Sequence, residues 1–433
     1  MKVATPYLTT EENTPMSRFT TLSHCLALTT LIACDPSGPG GPDACEVESY
    51  RSTEVSAERA VLVEDNSAFA WELYQQLRAD DENLFFSPIS ISAALDMTRL
   101  GASGQTLDEM ADVLGTSQEE SIHHAEQGGL LQELDSSDTC SVKLSIANRV
   151  FPQTGTALLS SFEDSLSESY GAPAEPLDFA TDSEAARAHI NGWISDNTEE
   201  KIPELFPAGT IDGGTRLVLA NAIYMKADWA HPFDSDRTQD GSFALIDGSS
   251  VETPMMQLEM EEGLHYAQID GAELVELPYE GGELSMVIVV PEEDDGLLEL
   301  EASLSGPLVQ SWFDSLASHP VMVSMPALEM RWKSLLNEPL IGLGMESAFS
   351  TSADFSGMSD ELSMMIDVVI HEAYVKIDEE GTEAAAATGV GMIESSVPDY
   401  RNVTADRPFL FLVRDRITDS VVFIGRVADP TAG

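Results

Sequence analysis

The chain has 433 residues, of which 21 are Lys or Arg and 75 are Asp or Glu, so its formal net charge is −54. Hydrophobic residues make up 43% of the chain, which is enough for a large core and argues against disorder along its whole length. Nucleic acid, anionic lipid head groups and heparin-like polysaccharides are disfavoured as partners, because binding them needs clustered Lys and Arg side chains. Four cysteines are too few to build a disulfide scaffold.

The first element along the chain is a leader-like segment. No stretch reaches the ~20 consecutive apolar residues of a transmembrane helix, but residues 19–33 form a largely apolar run of signal-peptide length. The run ends in Leu-Ile-Ala-Cys at residues 31–34, which resembles a bacterial lipobox, where cleavage precedes a cysteine that then carries lipid. We therefore predict a lipoprotein-type signal peptide over residues 1–33 and lipidation of Cys34. An ordinary secretory signal with an incidental cysteine is the alternative.

This leader predicts a bacterial cell-envelope lipoprotein or an extracellular, secreted protein. Residues 34–54 are predicted to be a flexible tether, because the stretch 35–43 (DPSGPGGPD) has Gly, Pro and Ser and no apolar residue. If Cys34 is acylated, Cys45 and Cys140 remain as an even pair in an oxidising compartment, and we predict a disulfide between them. No comparable linker or fixed-period repeat divides residues 55–433, so we predict one large domain.

The secondary-structure pattern of that domain is mixed. Apolar residues recur at helical spacing in four segments, at residues 66–77, 91–100, 106–114 and 185–196. Strands are predicted by six β-rich runs, at residues 217–224, 284–290, 321–325, 368–377, 409–413 and 421–424. Helices concentrate in the N-terminal half and strands in the C-terminal half, which predicts an α+β fold with large antiparallel or mixed sheets.

The chain contains no motif of a common catalytic site. G-x-S-x-G, H-E-x-x-H, the P-loop and G-x-G-x-x-G are all absent. The adjacent His123 and His124 would point about 100° apart on a helix, so we expect them at a solvated helix end rather than on one metal ion. The acidic run at residues 292–296 lacks the ligand spacing of a calcium loop. We therefore expect neither an enzyme nor a metal or cofactor site.

The most unusual stretch is residues 378–400 (DEEGTEAAAATGVGMIESSVPDY), which lies between two strand-like runs. An Ala-rich helix is one interpretation, although its glycines and the lack of an apolar stripe make that helix marginal. A flexible linker is another, although no new domain follows. The third is a long exposed loop able to become a strand, since long structureless loops in compact domains are usually functional. As a strand, one face would carry small or apolar side chains: Thr382, Ala384, Ala386, Thr388, Val390 and Met392.

This segment resembles the hinge and reactive-centre loop of a serpin, a serine protease inhibitor, because residues 379–388 read EEGTEAAAAT. The resemblance continues in collinear order over about residues 60–433. It is carried by residues 83–90 (NLFFSPIS), 217–233 (LVLANAIYMKADWAHPF), 403–413 (VTADRPFLFLV) and 423–430 (FIGRVADP). The stretch VVIHEAYVKIDEEG contains His371 where serpins place a histidine.

The resemblance implies a single α+β domain with about three β-sheets, eight to nine helices and an exposed C-terminal reactive-centre loop at about residues 379–402. It also implies a mechanism, in which a target serine protease attacks the loop, forms a covalent acyl complex and is trapped when the cut loop inserts into a sheet. The small inward-facing hinge side chains favour an inhibitor; a non-inhibitory serpin that binds or stores is the alternative.

The resemblance also implies roles for individual residues. Gly381 is expected to give the hinge backbone freedom, and Thr382 is expected to leave solvent and enter the sheet first. The hinge comprises Glu379, Glu380, Gly381, Thr382, Glu383, Ala384, Ala385, Ala386, Ala387 and Thr388. Beneath the sheet opening, a buried hydrogen-bonded set and a packing residue are implied, the shutter and breach of the family: Ser87, Ser90, Asn221, His371 and Trp229.

Counting forward from the hinge by analogy predicts cleavage between Ser395 and Ser396, with Glu394–Ser395 as the alternative bond. A small residue before the cut suits elastase-like or subtilisin-like proteases, whereas recognition of Glu394 would suit a glutamate-specific protease. We further expect a monomer that contacts a membrane only through the lipid anchor. The segment after Leu114 is acidic, which disfavours activation by a heparin-like polysaccharide.

Overall fold

Three β-sheets and nine α-helices make up the part of the chain that the structure, a computed structural model, describes: residues 51–78, 82–135, 141–360, 364–382 and 399–432. The helices are α1 (Ala57–Leu77), α2 (Pro88–Arg99), α3 (Gly104–Val113), α4 (Glu120–Asp135), α5 (Ser160–Tyr170), α6 (Phe179–Asn197), α7 (Leu297–Ser303), α8 (Gly306–Ser315) and α9 (Asn337–Leu343). The expected α+β architecture, with three sheets and eight to nine helices, is confirmed.

Most helices lie in the N-terminal half of the chain, and most strands lie in the C-terminal half. They are β1 (Leu84–Phe86), β2 (Val142–Pro152), β3 (Leu217–Asp228), β4 (Gln239–Ala244), β5 (Ser250–Met260), β6 (His265–Ile269), β7 (Ala272–Pro278), β8 (Leu284–Pro291), β9 (Ala317–Ser318), β10 (Val321–Pro326), β11 (Leu328–Leu335), β12 (Val368–Ile377), β13 (Gly381–Thr382), β14 (Arg401–Thr404), β15 (Phe409–Asp415) and β16 (Val421–Val427).

The strands assemble into sheets of seven, five and four strands. The seven-stranded sheet has the order β1-β16-β15-β8-β7-β6-β9, and the four-stranded sheet has the order β14-β10-β5-β4. The five-stranded sheet has the order β11-β12-β13-β3-β2, and β12 also pairs directly with β3. The short β13 therefore occupies only part of the space between two long strands, which is the feature that positions the candidate site.

Apolar side chains explain how the sheets stack. One core cluster joins Ile223 and Val375 of the five-stranded sheet to Ile288 and Phe411 of the seven-stranded sheet, all of them buried. On the five-stranded sheet's other face, α6 packs its apolar stripe, including Ile190, against β3 and β12. Burial of such side chains from both faces is the main stabilising contribution to a sheet of this kind.

Helix α2 is buried along its whole length and underlies the five-stranded sheet. Its start is fixed locally, because the Ser87 side chain accepts a hydrogen bond from the backbone N–H of Ser90 and Pro88 occupies the first turn. A serine cap followed by proline is a strong helix-start signal, and the helix begins three residues before the predicted 91–100 segment.

Two expectations about the N-terminal half are wrong. His123 and His124 are not solvated, because α4 packs both side chains inward and leaves them 1% and 3% exposed. The ordered body also starts before the predicted boundary at residue 55, since the Arg51 guanidinium makes hydrogen bonds of 2.9 and 3.0 Å to the Asp415 carboxylate. At least the end of the predicted 34–54 tether therefore belongs to the body.

Candidate functional site: the partly opened five-stranded sheet

The candidate site is the seam between β12 and β3. These strands pair in parallel over Val368–Ala373 and residues 218–223. Farther along they separate, and β13 lies between them, with Thr382 paired antiparallel to both Ile377 and Ala227. The sheet is therefore closed at one end and already holds the start of an extra strand at the other.

A tight turn at residues 378–381 delivers β13 into this gap. The Asp378 N–H donates to the Gly381 carbonyl at 3.0 Å, and the Glu380 N–H donates to the Asp378 side chain at 3.1 Å. The carbonyl oxygens of Glu379 and Glu380 accept from the N–H groups of Phe233 and Trp229 at 2.7 and 2.9 Å. The turn is thus tied to the segment after β3 rather than left free.

Thr382 is the residue at which the loop enters the sheet. Its side chain is 2% exposed, and its hydroxyl lies 2.8 Å from the hydroxyl of Tyr279, which is fully buried. The Tyr279 ring stacks on the Trp229 indole at 4.6 Å with an interplanar angle of 7°, and the indole N–H donates to the Asp378 carbonyl at 3.0 Å. The expectation that Thr382 starts in solvent is wrong for this structure, because the hinge is already docked.

Gly381 is required for a different reason from the expected one. A Cβ atom at this position would lie 2.2 Å from the Ala227 carbonyl oxygen and 2.7 Å from the Asp228 Cα. These distances are shorter than any non-bonded contact can tolerate, and the φ angle of Gly381 is not in the left-handed region. The glycine allows two backbones to approach closely, rather than giving the chain freedom to bend.

Carboxylates crowd the entrance. Burial raises the pKa of the Asp228 carboxyl, and the nearby carboxylates of Glu380, Glu280 and Asp378 raise it further against the attraction of Lys226. The Lys376 ammonium group relieves part of this repulsion by its 2.7 Å contact with Asp378. The docked hinge therefore carries an electrostatic cost, which the hydrogen bonds around Trp229 and Thr382 offset.

The four residues implied to lie beneath the opening are brought together, and we call them the shutter cluster: Ser87, Ser90, Asn221 and His371. The Asn221 amide donates to the Ser90 carbonyl at 2.7 Å and also contacts the Ser90 hydroxyl. Asn221 and His371 are direct neighbours in the β3–β12 pairing, and their side chains hydrogen-bond across the seam. Opening the seam therefore breaks a buried polar contact.

Hydrogen bonding fixes the protonation state of His371. Its Nε2 accepts from the Ser87 backbone N–H at 3.2 Å, so this nitrogen carries no proton, and Nδ1 then donates to the Asn221 oxygen. Burial lowers the pKa of His371 to about 3. The imidazole is neutral at physiological pH, and it acts as a structural donor and acceptor.

Two members of the site escaped sequence-based reasoning. Tyr279 follows β7 in a turn, and nothing in the local sequence links it to residue 382, which lies 103 positions away. Asn148 of β2 pairs with Asn221 in the sheet register and accepts a hydrogen bond from its amide. For Asn148, the only indication in the sequence was a polar amide within a strand that is otherwise rich in apolar residues.

The remaining predicted residues lie outside the described part of the chain. These are the hinge from Glu383 to Thr388, the bonds at Glu394, Ser395 and Ser396, and the cysteines Cys34, Cys45 and Cys140. The predicted loop limits of 379–402 are too wide at both ends, because Gly381–Thr382 lies in one sheet and Arg401–Thr404 pairs in parallel with β10 in another.

Within the described ranges, no helix is both long enough and apolar enough to span a bilayer. The same ranges contain no group of three or more His, Cys, Asp or Glu side chains arranged to hold a metal ion.

A five-stranded sheet that holds the short strand β13 between two long strands, above a buried polar contact at their seam, is the structural feature that defines this class of protein. A family model described as Serpin (serine protease inhibitor) matches residues 64–430. The chain belongs to the serpin (serine protease inhibitor) family.

Individual relatives agree with this assignment. The chain is 36% identical to a leukocyte elastase inhibitor of Xenopus laevis over 369 residues, covering 84% of this chain and 97% of the relative. It is 37% identical to serpin B6 of Macaca fascicularis over 376 residues, covering 86% and 100%. Among solved structures, uncleaved ovalbumin matches with a TM-score of 0.76 at 27% identity, covering 85% of this chain and 100% of ovalbumin. Human thyroxine-binding globulin complexed with thyroxine matches with 0.78 at 29%, covering 87% and 100%.

Proposed function

We propose that this chain inhibits serine proteases as a suicide substrate. The target's catalytic serine attacks the carbonyl carbon of the loop residue before the cut, the peptide bond breaks, and the acyl-enzyme forms. The freed loop then inserts between β3 and β12 and carries the attached protease with it, which distorts the protease before water can release it. The observation that carries this proposal is the docked hinge, since the first residue of the inserting strand already lies in the gap.

The register of β13 supports a full insertion. Each step forward along the loop is one step back along both neighbours, because β13 runs antiparallel to β3 and to β12. Extending the observed pairs, residue 391 would reach Val218 of β3 and Val368 of β12 together, where the present β3–β12 ladder also begins. The two flanking strands thus agree on one register. A new central strand gains two ladders of hydrogen bonds, each bond worth a net ~1 kcal/mol.

The composition of the loop fits this register. Thr382 faces the core, so strand alternation would send Ala384, Ala386, Thr388 and Val390 inward as well. These side chains are small, so they can enter a packed core without overpacking it. As far as Val390, the inserting strand therefore carries no bulky or charged side chain on its inward face.

We propose Ser395–Ser396 as the cleaved bond, with Glu394–Ser395 as the alternative, and elastase-like or subtilisin-like enzymes as targets. The register supports a cut beyond residue 391, because the whole inserting strand must stay attached to the acyl bond. The named inhibitors of leukocyte elastase among the relatives support an elastase-like target. A glutamate-specific protease cutting after Glu394 is the alternative outcome.

The test is incubation with a panel of elastase-like, subtilisin-like, glutamate-specific and trypsin-like proteases, followed by denaturing electrophoresis and mass spectrometry. We expect a complex that survives SDS, and a released C-terminal fragment beginning at Ser396. Thr382→Arg should give cleaved chain and free protease, because a buried unpaired charge at the entry point opposes insertion. Thr351→Arg, at an exposed turn position, is the matched control and should still form the complex.

A non-inhibitory serpin is the alternative, and the likeness to ovalbumin and to thyroxine-binding globulin keeps it in consideration. Thermal unfolding separates it from the inhibitor. Cleavage of the loop should raise the melting temperature by at least about 5 °C, since several kcal/mol of added stability are expected from insertion. An unchanged melting temperature together with only cleaved chain would refute the inhibitor. A loop-inserted structure of a cleaved ovalbumin mutant is among the matches, so the fold itself permits insertion.

We also propose that the inhibitor is a monomer held at a bacterial cell envelope by lipid on Cys34, after removal of residues 1–33. The leader sequence is the only support for the lipid anchor. The relatives named above come from vertebrates and add no support for a bacterial envelope. Detergent extraction and intact-mass measurement of the expressed protein test it, with Cys34→Ser as the control. A mature chain without an acyl mass would identify an ordinary secreted form. Alkylation before and after reduction would show whether Cys45 and Cys140 are joined.

A further inference from the structure

A cavity of about 690 Å³ lies between the end of α2, α4 and α5, and its lining includes no residue of the hinge or shutter cluster among those described. The cavity exists because α4 presents the small residues Ser121, Ala125 and Gly129 to it. Beside the cavity, helices α4 and α5 are in contact, since a Cβ on Gly128 of α4 would lie 1.6 Å from the Ser169 carbonyl oxygen of α5. The helices are therefore held close at one point and left apart at the next.

The polar end of the cavity is formed by Arg99, whose side chain is buried completely. Its Nε donates to the Asp96 carboxylate at 3.0 Å, and its Nη1 donates to the Glu120 carboxylate at 2.6 Å. Its Nη2 has no hydrogen-bond partner among the described residues. A buried guanidinium with an unused donor is costly, and its planar fork suits a carboxylate that takes both terminal nitrogens.

Glu120 is the part of this guanidinium's cover that faces solvent. It is the first residue of α4, and its side chain is 48% exposed, so rotation into solvent needs no change in the packed core. Its second oxygen lies 3.3 Å from the Nε2 of His124, so the carboxylate now sits between two buried basic groups. When Glu120 turns outward, the same position is open to a carboxylate from outside.

One further wall is apolar, the polar side chains of Gln132, Ser165 and Ser169 line the rest, and the mouth is acidic. Leu100, Ala102 and Leu107 line the cavity, and the exposed Glu168 stands at its edge. The apolar wall suits a hydrocarbon tail, and a cavity of this volume is within the ~300–1,000 Å³ range of small-ligand sites. Glu168 and the net charge of −54 disfavour a ligand with several negative charges.

We propose that this cavity binds a small monocarboxylate with an apolar tail, whose carboxylate replaces that of Glu120 on Nη1 and Nη2 of Arg99 while the tail lies along Leu100 and Leu107. This site is separate from the proposed protease trap. It can therefore be present or absent whatever the loop does.

Isothermal titration calorimetry of the intact chain with octanoate tests the proposal, and octylammonium, with the same tail and the opposite charge, is the ligand control. We expect saturable binding of one octanoate, and binding of octylammonium weaker by on the order of tenfold or more, since it places a cation against Arg99. Equal binding of both amphiphiles, or no saturable octanoate binding, overturns the proposal and leaves a water-filled cavity.

Two variants locate the site. Glu120→Ala removes the internal competitor and should tighten octanoate binding by on the order of threefold or more. Ala125→Trp fills the cavity and should weaken it by on the order of tenfold or more. Ala185→Trp is the matched control, because it adds the same side chain at an exposed position of α6, and it should bind like the parent. Octanoate binding that survives Ala125→Trp unchanged, in a variant with the parent's melting temperature, contradicts the assignment to this cavity.

Discussion

Removal of the Tyr279 hydroxyl is expected to release the docked hinge. In the intact chain this hydroxyl lies 2.8 Å from the Thr382 hydroxyl, and the two side chains are 0% and 2% exposed. Tyr279→Phe keeps the ring that stacks on Trp229 and deletes one oxygen. It leaves the Thr382 hydroxyl buried without this partner, which costs about 1–3 kcal/mol.

That cost applies only while Thr382 stays in the sheet. The equilibrium between docked and released hinge should therefore shift toward release by about 5- to 160-fold, the factor that corresponds to 1–3 kcal/mol. Hydrogen exchange measured by mass spectrometry on the peptide that contains residues 378–382 reports this directly. Exchange there should accelerate, while exchange in the β7–β8 region should stay unchanged.

Tyr266→Phe is the matched control, because it deletes a hydroxyl that donates to Glu273 at 3.0 Å elsewhere in the fold. It should leave exchange at residues 378–382 at the parent's rate. A double-mutant cycle with Thr382→Val sharpens the test, since removing both hydroxyls leaves neither one unpaired. The double variant should lose less protection than the two single changes predict together. A coupling of zero would refute the inferred contact and the docked hinge with it.

Three further predictions concern the hinge, the shutter cluster and a buried ion pair of the seven-stranded sheet. Gly381→Ala should undock the hinge more completely than Tyr279→Phe, because its Cβ cannot fit at 2.2 Å from a backbone oxygen, and the same exchange measurement checks this. His371 has a pKa of about 3 in the folded chain against an ordinary value of 6.5, so the unfolded chain binds the extra proton and stability falls as pH drops from about 6.5 toward 3. Between pH 7 and pH 5 this residue should account for about 2 kcal/mol of lost unfolding free energy in denaturant titrations, and that slope should be absent in His371→Gln. Glu276→Gln should cost about 3 kcal/mol, because it removes the carboxylate that pairs at 2.7 Å with the nearly buried Arg414 and leaves that charge behind. The exposed ion pair between Glu259 and Arg237 is the control, and Glu259→Gln should lower the unfolding free energy by less than about 1 kcal/mol. Equal losses of unfolding free energy at both positions would contradict the burial argument.

The strands rich in β-branched and apolar residues were predictable because their signal is local. The run at residues 368–377 has the limits of β12, and the run starting at residue 217 has the start of β3. Strand β11 was missed, although it alternates buried and exposed residues at its start, because its sequence LEMRWKSL contains three charged residues and resembles a helix surface. A pattern in one strand does not show which neighbour shields its charged face.

The start of α1 shows the same limit. Sequence pattern places the helix at residues 66–77, whereas α1 begins at Ala57. The added turns carry Arg59, which is 8% exposed because it pairs with Glu126 at 2.8 Å and Glu133 at 3.1 Å. A buried arginine lowers the apolar periodicity of its own helix, and its partners lie in α4, about 70 positions away. Similarly, His123 of α4 is a core residue because its imidazole hydrogen-bonds at 2.9 Å to the Asp96 carboxylate of α2.

The candidate site divides along the same line. Its polar shutter residues could be found from motif resemblance, whereas the docked state of the hinge could not, because it depends on Tyr279 and on the close approach of Gly381 to β3. Both contacts join segments more than 100 positions apart in the sequence. Residue types can indicate that a loop is able to become a strand; only the tertiary packing decides how far it has already done so.

The register of the hinge and the position of the shutter cluster, derived independently, converge on one loop residue. The pairs of Thr382 with Ala227 and with Ile377 fix the alignment of any strand that continues from it. In that alignment the loop residue opposite both Asn221 and His371 is Thr388. The proposed insertion would separate these two side chains and remove their hydrogen bond, leaving a buried donor and a buried acceptor. A threonine hydroxyl can accept from the one and donate to the other, which an alanine cannot. The single hydroxyl-bearing residue between Glu383 and Glu394 thus occurs where an inserting strand would have to repair the contact that it breaks.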